Sequence, residues 1–139
     1  MGRVLAIDFG TRRIGLAISD EMQVIASGLE SISYKDISEV ITKLKTLVEE
    51  KNVEKIVLGY PLSMSGKITR IGLLVLEFKK TLEEVLKIPV ELLDERLTTE
   101  IAKQIQERVK RKPTPPKGLV DKISAILILQ DYLQKTRKK

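Results

Sequence analysis

The chain has 139 residues, the size of one domain with a real hydrophobic core, and we expect residues 1–139 to form a single domain. The sequence contains no Cys and no His, which excludes disulfides, thiolate nucleophiles, zinc–cysteine sites and an imidazole general base. Lys and Arg number 25 against 19 Asp and Glu, and the resulting net charge of +6 favours an anionic partner such as nucleic acid.

The first half of the chain is predicted to contain three strands, a helix and a fourth strand. The three strands cover residues 3–8, 13–19 and about 23–33. Their connections are too short for crossover helices, which predicts an antiparallel meander. The apolar spacing changes to a helical period over residues 36–51, with Asp36 near the helix start, and residues 55–59 form a short apolar strand.

The second half is predicted to contain three helices and a fifth strand. A helix over residues 67–87 precedes a strand over residues 90–93, and further helices cover residues 98–110 and 119–135. The proline-containing segment 112–118 (KPTPPKG) separates those last two helices.

This order of elements predicts an α/β fold with a five-stranded mixed sheet, three antiparallel strands followed by two parallel strands, flanked by helices. Parallel strands joined through helices cross over right-handedly, so the fourth and fifth strands can be placed beside the first and parallel to it. The carboxyl ends of these three strands then share one edge of the sheet. In open α/β sheets the ligand site lies along that edge.

Three acidic positions are predicted to lie at this edge. Asp8 ends the first strand, and Asp94 and Glu95 end the fifth. Asp121 lies in the first turn of the last helix, on a mostly apolar stripe with Ala125, Ile128 and Tyr132. Each acid also has a purely structural interpretation, as a turn or helix cap or, for the Asp94–Glu95 pair, as an ion-pair partner of Arg96.

Together these carboxylates favour a metal-ion phosphodiesterase. Oxygen ligands select hard cations, so we expect one or two Mg²⁺ or Mn²⁺ ions. Such ions activate water and stabilise the leaving oxygen, and no side-chain base is then required.

The positive charge is concentrated in two C-terminal segments. Residues 108–117 carry five basic side chains and no acid, and the basic tail 135–139 carries four. This is the pattern expected of a surface that contacts a phosphate backbone, although a Lys-rich tail can also serve only solubility.

Four motifs, in order along the chain, carry a family resemblance. They are Ile7-Asp8-Phe9-Gly10 with Arg13-Ile14-Gly15 and Ala17, then Val57 to Leu62 with Gly66, then Asp94 to Thr99, and finally Lys117 with Asp121, Ala125 and Ile128 to Gln130. With these motifs the chain resembles the YqgF family, also called RuvX, which has the ribonuclease H-like fold and is described as Holliday junction resolvases or pre-16S rRNA nucleases.

The resemblance implies that Asp8, Glu95 and Asp121 form an acidic triad that is catalytic and holds the metal. Whether Asp94 shares the role of Glu95 stays open. The basic side chains expected to bind nucleic acid are Arg12, Arg13, Lys67, Arg70, Arg96, Lys110, Arg111, Lys112 and Lys117.

The resemblance favours a nuclease that processes the 5′ end of precursor 16S rRNA, with ribosomal particles as further partners. Two alternatives stay open: a Holliday junction resolvase acting on branched DNA, and a non-catalytic ribosome-assembly factor. Residues 7–20 also resemble a phosphate motif of actin-like ATPases, but those enzymes clamp nucleotide between two domains. We expect a monomer or weak homodimer. Because the sequence lacks a long apolar run and a signal-peptide pattern, we also expect the protein to be cytoplasmic and to have no membrane partner.

Overall fold

The computed structural model describes residues 2–61, 65–94, 104, 107–108, 111 and 118–137, and the structural statements below concern these residues. The strands are β1 (Arg3–Phe9), β2 (Arg13–Ser19), β3 (Ala26–Ser33), β4 (Val53–Tyr60) and β5 (Val90–Asp94). The helices are α1 (Ile37–Lys51), α2 (Arg70–Leu86) and α3 (Leu119–Arg137). Within these ranges no helix combines the length and the apolar character needed to cross a membrane.

The predicted mixed sheet is confirmed. Its strand order is β3-β2-β1-β4-β5, with β1 antiparallel to β2, β2 antiparallel to β3, and β1, β4 and β5 parallel. Because these last three strands run in one direction, their carboxyl ends share one edge of the sheet, as the order of elements predicted. Phe9, Tyr60 and Asp94 are the last residues of the three strands at that edge.

The third strand begins at Ala26, and the predicted start near residue 23 is wrong. One carboxylate oxygen of Asp20 accepts hydrogen bonds from the backbone N–H groups of Val24 and Ile25, both at 2.8 Å. Gln23 adopts a left-handed conformation with φ of 58° inside this turn. Because the N–H groups of Val24 and Ile25 are bonded to Asp20, they do not take part in the hydrogen-bond ladder of a strand.

The second helix begins at Arg70 rather than at residue 67, because Thr69 caps it. The Thr69 hydroxyl accepts a hydrogen bond of 3.0 Å from the backbone N–H of Gly72, as a helix N-cap does. The helix predicted over residues 98–110 lies mostly outside the described residues. Within it, Gln104, Glu107 and Arg108 have helical backbone.

The two faces of the sheet carry separate hydrophobic clusters. Leu5 and Ile7 of β1 belong to the cluster beneath α1 and α2, and Phe9 packs against the same cluster. Val4 and Ala6 belong to the cluster beneath α3. Since side chains alternate along a strand and the β1–β2 register is unbroken from Leu5 to Phe9, the side chain of Asp8 lies on the α3 face.

The predicted apolar stripe of the last helix is confirmed. Ala125, Ile128 and Tyr132 are buried against the sheet together with Leu129 and Leu133. Asp121 lies one turn before Ala125, at the amino-terminal end of this stripe. The packing of α3 therefore turns the Asp121 position toward the same face of the sheet as Asp8.

Candidate functional site

Asp8 lies on the central strand, one residue before its end, and is half-buried. Across the β1–β2 ladder its Cα is paired with Gly15. A carboxylate at this position is held by hydrogen-bonded strands on both sides, because β1 also pairs with β4 up to Ile7 and Leu58. Such a rigid support suits a ligating or catalytic group.

Asp121 lies near Asp8 because α3 packs closely on β2, the strand that pairs with β1. A Cβ atom built on Gly15 would lie 2.0 Å from the carbonyl oxygen of Asp121 and 3.1 Å from its Cα. The helix backbone therefore contacts the strand backbone where a side chain would otherwise stand. Gly15 is the ladder partner of Asp8 and the contact of Asp121, so it brings the two acidic residues together.

Arg13 forms an ion pair with Asp121. Its Nε donates a hydrogen bond of 3.1 Å to Asp121 Oδ2. Arg13 lies two residues before Gly15 on β2, and the strand period places both on the α3 face with Ala17, which is buried there. The side chains are 37% and 27% exposed, so the pair contributes at most about 1 kcal/mol to stability. The contact leaves the second carboxylate oxygen of Asp121 outside this hydrogen bond.

Asp94 lies on the other face of the sheet. Val90 and Leu92 of β5 pack into the cluster beneath α1 and α2, whereas Leu93 packs into the cluster beneath α3. Strand alternation therefore places Asp94 on the face of α1 and α2, opposite to Asp8 and Asp121. Glu95, the predicted third member of the triad, lies outside the described residues.

The donor chemistry at Asp8 and Asp121 fits a hard divalent cation, because both residues supply carboxylate oxygens. Among the described residues no group of three Asp or Glu side chains is close enough to hold a metal ion. A complete site would need a further ligand from outside the described ranges, such as Glu95, or from phosphate oxygens of a substrate.

Of the nine predicted nucleic-acid contacts, five belong to the described residues, and Arg13 is one of them. Arg12 is exposed in the β1–β2 turn, Lys67 is exposed between β4 and α2, and Arg70 is exposed at the start of α2. Arg111 is exposed as well. The other four predicted contacts lie outside the described residues; they are Arg96, Lys110, Lys112 and Lys117.

The family model described as "RuvX: Holliday junction resolvase" matches residues 2–135. The chain belongs to the RuvX family. The chain is similar to two relatives named "Putative pre-16S rRNA nuclease". The relative from Dictyoglomus thermophilum is 43% identical over 133 residues, and the match covers 94% of each chain. The relative from Roseiflexus sp. strain RS-1 is 38% identical over 136 residues, and the match covers 98% of this chain and 96% of the relative.

Solved structures identify the fold. Thermus thermophilus RuvC in complex with a Holliday junction substrate matches with a TM-score of 0.62 at 12% identity, covering 97% of this chain and 96% of that chain. The fowlpox virus resolvase, also in complex with Holliday junction DNA, matches with a TM-score of 0.54 at 10% identity, covering 96% and 98%. The predicted ribonuclease H-like fold of the RuvX family is thereby confirmed.

Gly15 permits contact between β2 and α3. Gly28 of β3 acts similarly, because a Cβ there would lie 2.6 Å from Lys122 Cγ. Small residues at alternate positions of one strand, here Gly15 and Ala17 of β2, are the sequence signal for close packing of a helix on that strand.

Proposed function

We propose that this protein is a metal-dependent nuclease that hydrolyses phosphodiester bonds, with the 5′ end of precursor 16S rRNA as its substrate. The observation that carries the proposal is the pair Asp8 and Asp121, which two different elements bring to one place through Gly15. Membership of the RuvX family and the names of the relatives support it. The net charge of +6 is consistent with a polyanionic substrate.

The residues proposed to hold one or two Mg²⁺ or Mn²⁺ ions are Asp8, Asp121 and Glu95. A divalent cation bound there would activate the attacking water and stabilise the leaving oxygen, which a chain without His cannot do through an imidazole. Asp8 supplies a carboxylate from a rigid strand. Asp121 supplies one from the first turn of α3.

Glu95 is a better third ligand than Asp94. Asp94 belongs to the opposite face of the sheet, as the packing of Val90, Leu92 and Leu93 indicates. A side chain on that face is separated from Asp8 by the sheet itself. We therefore assign the role to Glu95, in agreement with the family resemblance, and give Asp94 none.

Arg13 is proposed to hold Asp121 in position before the cation binds. Two carboxylates side by side repel each other, and the guanidinium neutralises one of them. Cation binding then competes with an ion pair that is partly exposed and therefore weak. Arg13 acts here through Asp121 and is a positioning residue.

A second candidate function is cleavage of branched DNA. The family model's description names a Holliday junction resolvase, and the fold matches two resolvases solved with junction DNA. A resolvase cuts two strands symmetrically and needs a dimer, whereas a nuclease acting on one rRNA strand can be a monomer. Molecular mass in solution therefore helps to separate the two.

The test is a cleavage assay with Mg²⁺ or Mn²⁺ on a transcript spanning the 5′ end of precursor 16S rRNA and on a four-way DNA junction. We expect cleavage of the transcript by the wild-type protein and none by folded Asp8→Asn or Asp121→Asn. Asp131→Asn is the matched control, because Asp131 lies on the same helix and pairs with Lys135 far from the site. Cleavage of the junction alone would favour the resolvase. Nucleic-acid binding without any cleavage would favour a non-catalytic assembly factor in the cytoplasm that acts on ribosomal particles.

A further inference from the structure

A polar pocket lies beside the acidic site, between the amino-terminal end of α3 and strands β2 and β3. Its volume is about 330 Å³, and its walls include Arg13, Glu30, Ser31, Ser33 and Lys122. None of these residues except Arg13 belongs to the predicted site. The pocket joins the acidic site through Arg13, which lines it and also pairs with Asp121.

We propose that this pocket binds a backbone phosphodiester of the nucleic acid, next to the bond that is cut. The proposal rests on the proposed nuclease function and adds a binding site to it. The pocket walls carry two cations, Arg13 and Lys122, and one anion, Glu30. Arg13 is already paired with Asp121, so the attraction for a phosphodiester comes from the Lys122 ammonium group and from the guanidinium N–H donors of Arg13 outside that hydrogen bond.

Lys122 is directed along the pocket by Gly28. A Cβ atom on Gly28 would lie 2.6 Å from Lys122 Cγ and 2.8 Å from its Cδ, so the aliphatic stem of Lys122 lies directly over the β3 backbone. Burial of the stem with the ammonium group at the edge is usual for lysine. The strand thereby limits the directions that the ammonium group can take.

Arg13 can serve the pocket and Asp121 together. A guanidinium has five N–H donors in a planar fork, and the hydrogen bond to Asp121 uses Nε. The terminal nitrogens are therefore oriented by this bond, and arginine is well suited to phosphate oxygens. Because Arg13 lines the pocket and pairs with Asp121, a phosphate in the pocket would lie beside the acidic site.

The start of α3 forms the base of the pocket. Ser31 Oγ donates a hydrogen bond of 2.9 Å to the carbonyl oxygen of Gly118, which has φ of 83°. The same carbonyl accepts the first helical hydrogen bond, from Lys122 N at 3.0 Å. These bonds fix Gly118 and Leu119 in the pocket wall, where the amino-terminal dipole of a 19-residue helix adds to the attraction for an anion.

The experiment measures binding of a fluorescent RNA from the precursor 16S 5′ end to Asp8→Asn protein, by anisotropy over a range of salt concentrations. Lys122→Gln should lower the slope of log affinity against log salt by about 0.7 to 0.9, the value of one phosphate contact. Between about 50 and 200 mM salt, the advantage of the parent over this variant should then shrink about threefold.

Two further variants separate a phosphate contact from a general loss of structure. Glu30→Gln removes the anion from the pocket and should tighten binding. Gly28→Ala keeps every charge but displaces the Lys122 stem, and it should weaken binding. The matched control is Lys43→Gln, an exposed lysine on α1 and so on the opposite face of the sheet, which should leave the slope unchanged.

The pocket proposal would be overturned if Lys122→Gln and Lys43→Gln had the same salt slope and Glu30→Gln bound the RNA no more tightly than the parent protein. If the parent protein binds no nucleic acid at low salt, the pocket proposal and the proposed function are both wrong. If the predicted slopes are found but the wild-type protein cuts no substrate, the pocket proposal stands and the proposed nuclease function is wrong.

Discussion

Gly15→Ala is the most direct perturbation of the contact that assembles the site. The added Cβ would lie 2.0 Å from the Asp121 carbonyl oxygen, whereas real Cβ atoms essentially never come closer than 3.0 Å. The obstacle is backbone, so the start of α3 must move away from β2 by about 1 Å, the difference between these distances. Overpacking of this kind costs about 1–3 kcal/mol, and for a chain of this size we expect the melting temperature to fall by roughly 3–10 °C.

The same shift should damage the site more than the fold. Movement of α3 separates Asp121 from Arg13 and from Asp8, so Mg²⁺ or Mn²⁺ should stabilise Gly15→Ala less than the wild-type protein. Thermal unfolding with and without the cation measures both effects. Gly72→Ala is the matched control, because its new Cβ would lie no closer than 3.3 Å to any neighbour, and we expect its melting temperature to stay within a few degrees of wild type. Wild-type stability and an undiminished cation effect in Gly15→Ala would refute this account of how the acids are brought together.

Four further predictions concern charges. Mg²⁺ or Mn²⁺ in the presence of nucleic acid should raise the melting temperature of the wild-type protein and of Asp131→Asn but not of Asp8→Asn; an equal rise in all three would mean that Asp8 holds no cation. Arg13→Leu should tighten cation binding up to about fivefold in calorimetry, since the ion pair that competes contributes at most about 1 kcal/mol. The backbone N–H groups of Ile25 and Val24 lower the pKa of Asp20. The ionised Asp20 carboxylate therefore stabilises the folded protein above the ordinary pKa of Asp, and this stabilisation is lost as the pH falls through the lowered pKa. Asp20→Asn should accordingly lose less melting temperature on acidification than the wild-type protein. Neutralising residues 110–112 should lower the salt slope of nucleic-acid binding by about two to three, and an unchanged slope would leave that segment without phosphate contacts.

The sheet could be predicted from the sequence because its signals are local. The strand and helix periods, the short early connections and the right-handed crossover rule together determine a mixed sheet with β1 beside β4. The apolar stripe of Ala125, Ile128 and Tyr132 likewise indicated which side of α3 is buried. The boundaries that were wrong, at Ala26 and Arg70, depend on side-chain hydrogen bonds of Asp20 and Thr69 that compete with the periodic pattern.

The close packing of α3 on β2 and β3 could not be predicted from local signals, because it depends on the register between neighbouring strands of the sheet. Gly15 lies beside Asp8 only through the β1–β2 ladder, and Gly28 lies beside Ala17 only through the β2–β3 ladder. Each glycine alone is explained equally well by a turn or a bulge. Their shared role becomes visible only when both are found beneath one helix.

The division of the sheet into two faces explains how the fold tolerates carboxylates beside its core. Large side chains such as Leu5, Ile7 and Phe78 fill the face beneath α1 and α2, and the stability of the sheet depends mainly on them. The face beneath α3 is lined near the site by small residues, so the helix approaches closely there and its first turn can carry Asp121 and Lys122 with little loss of buried apolar area. Apolar anchoring of α3 comes instead from Ile128, Leu129 and Leu133, farther along the helix. Substitutions in this far half should therefore act mainly on stability, whereas substitutions in the first turn should act mainly on cation and phosphate binding.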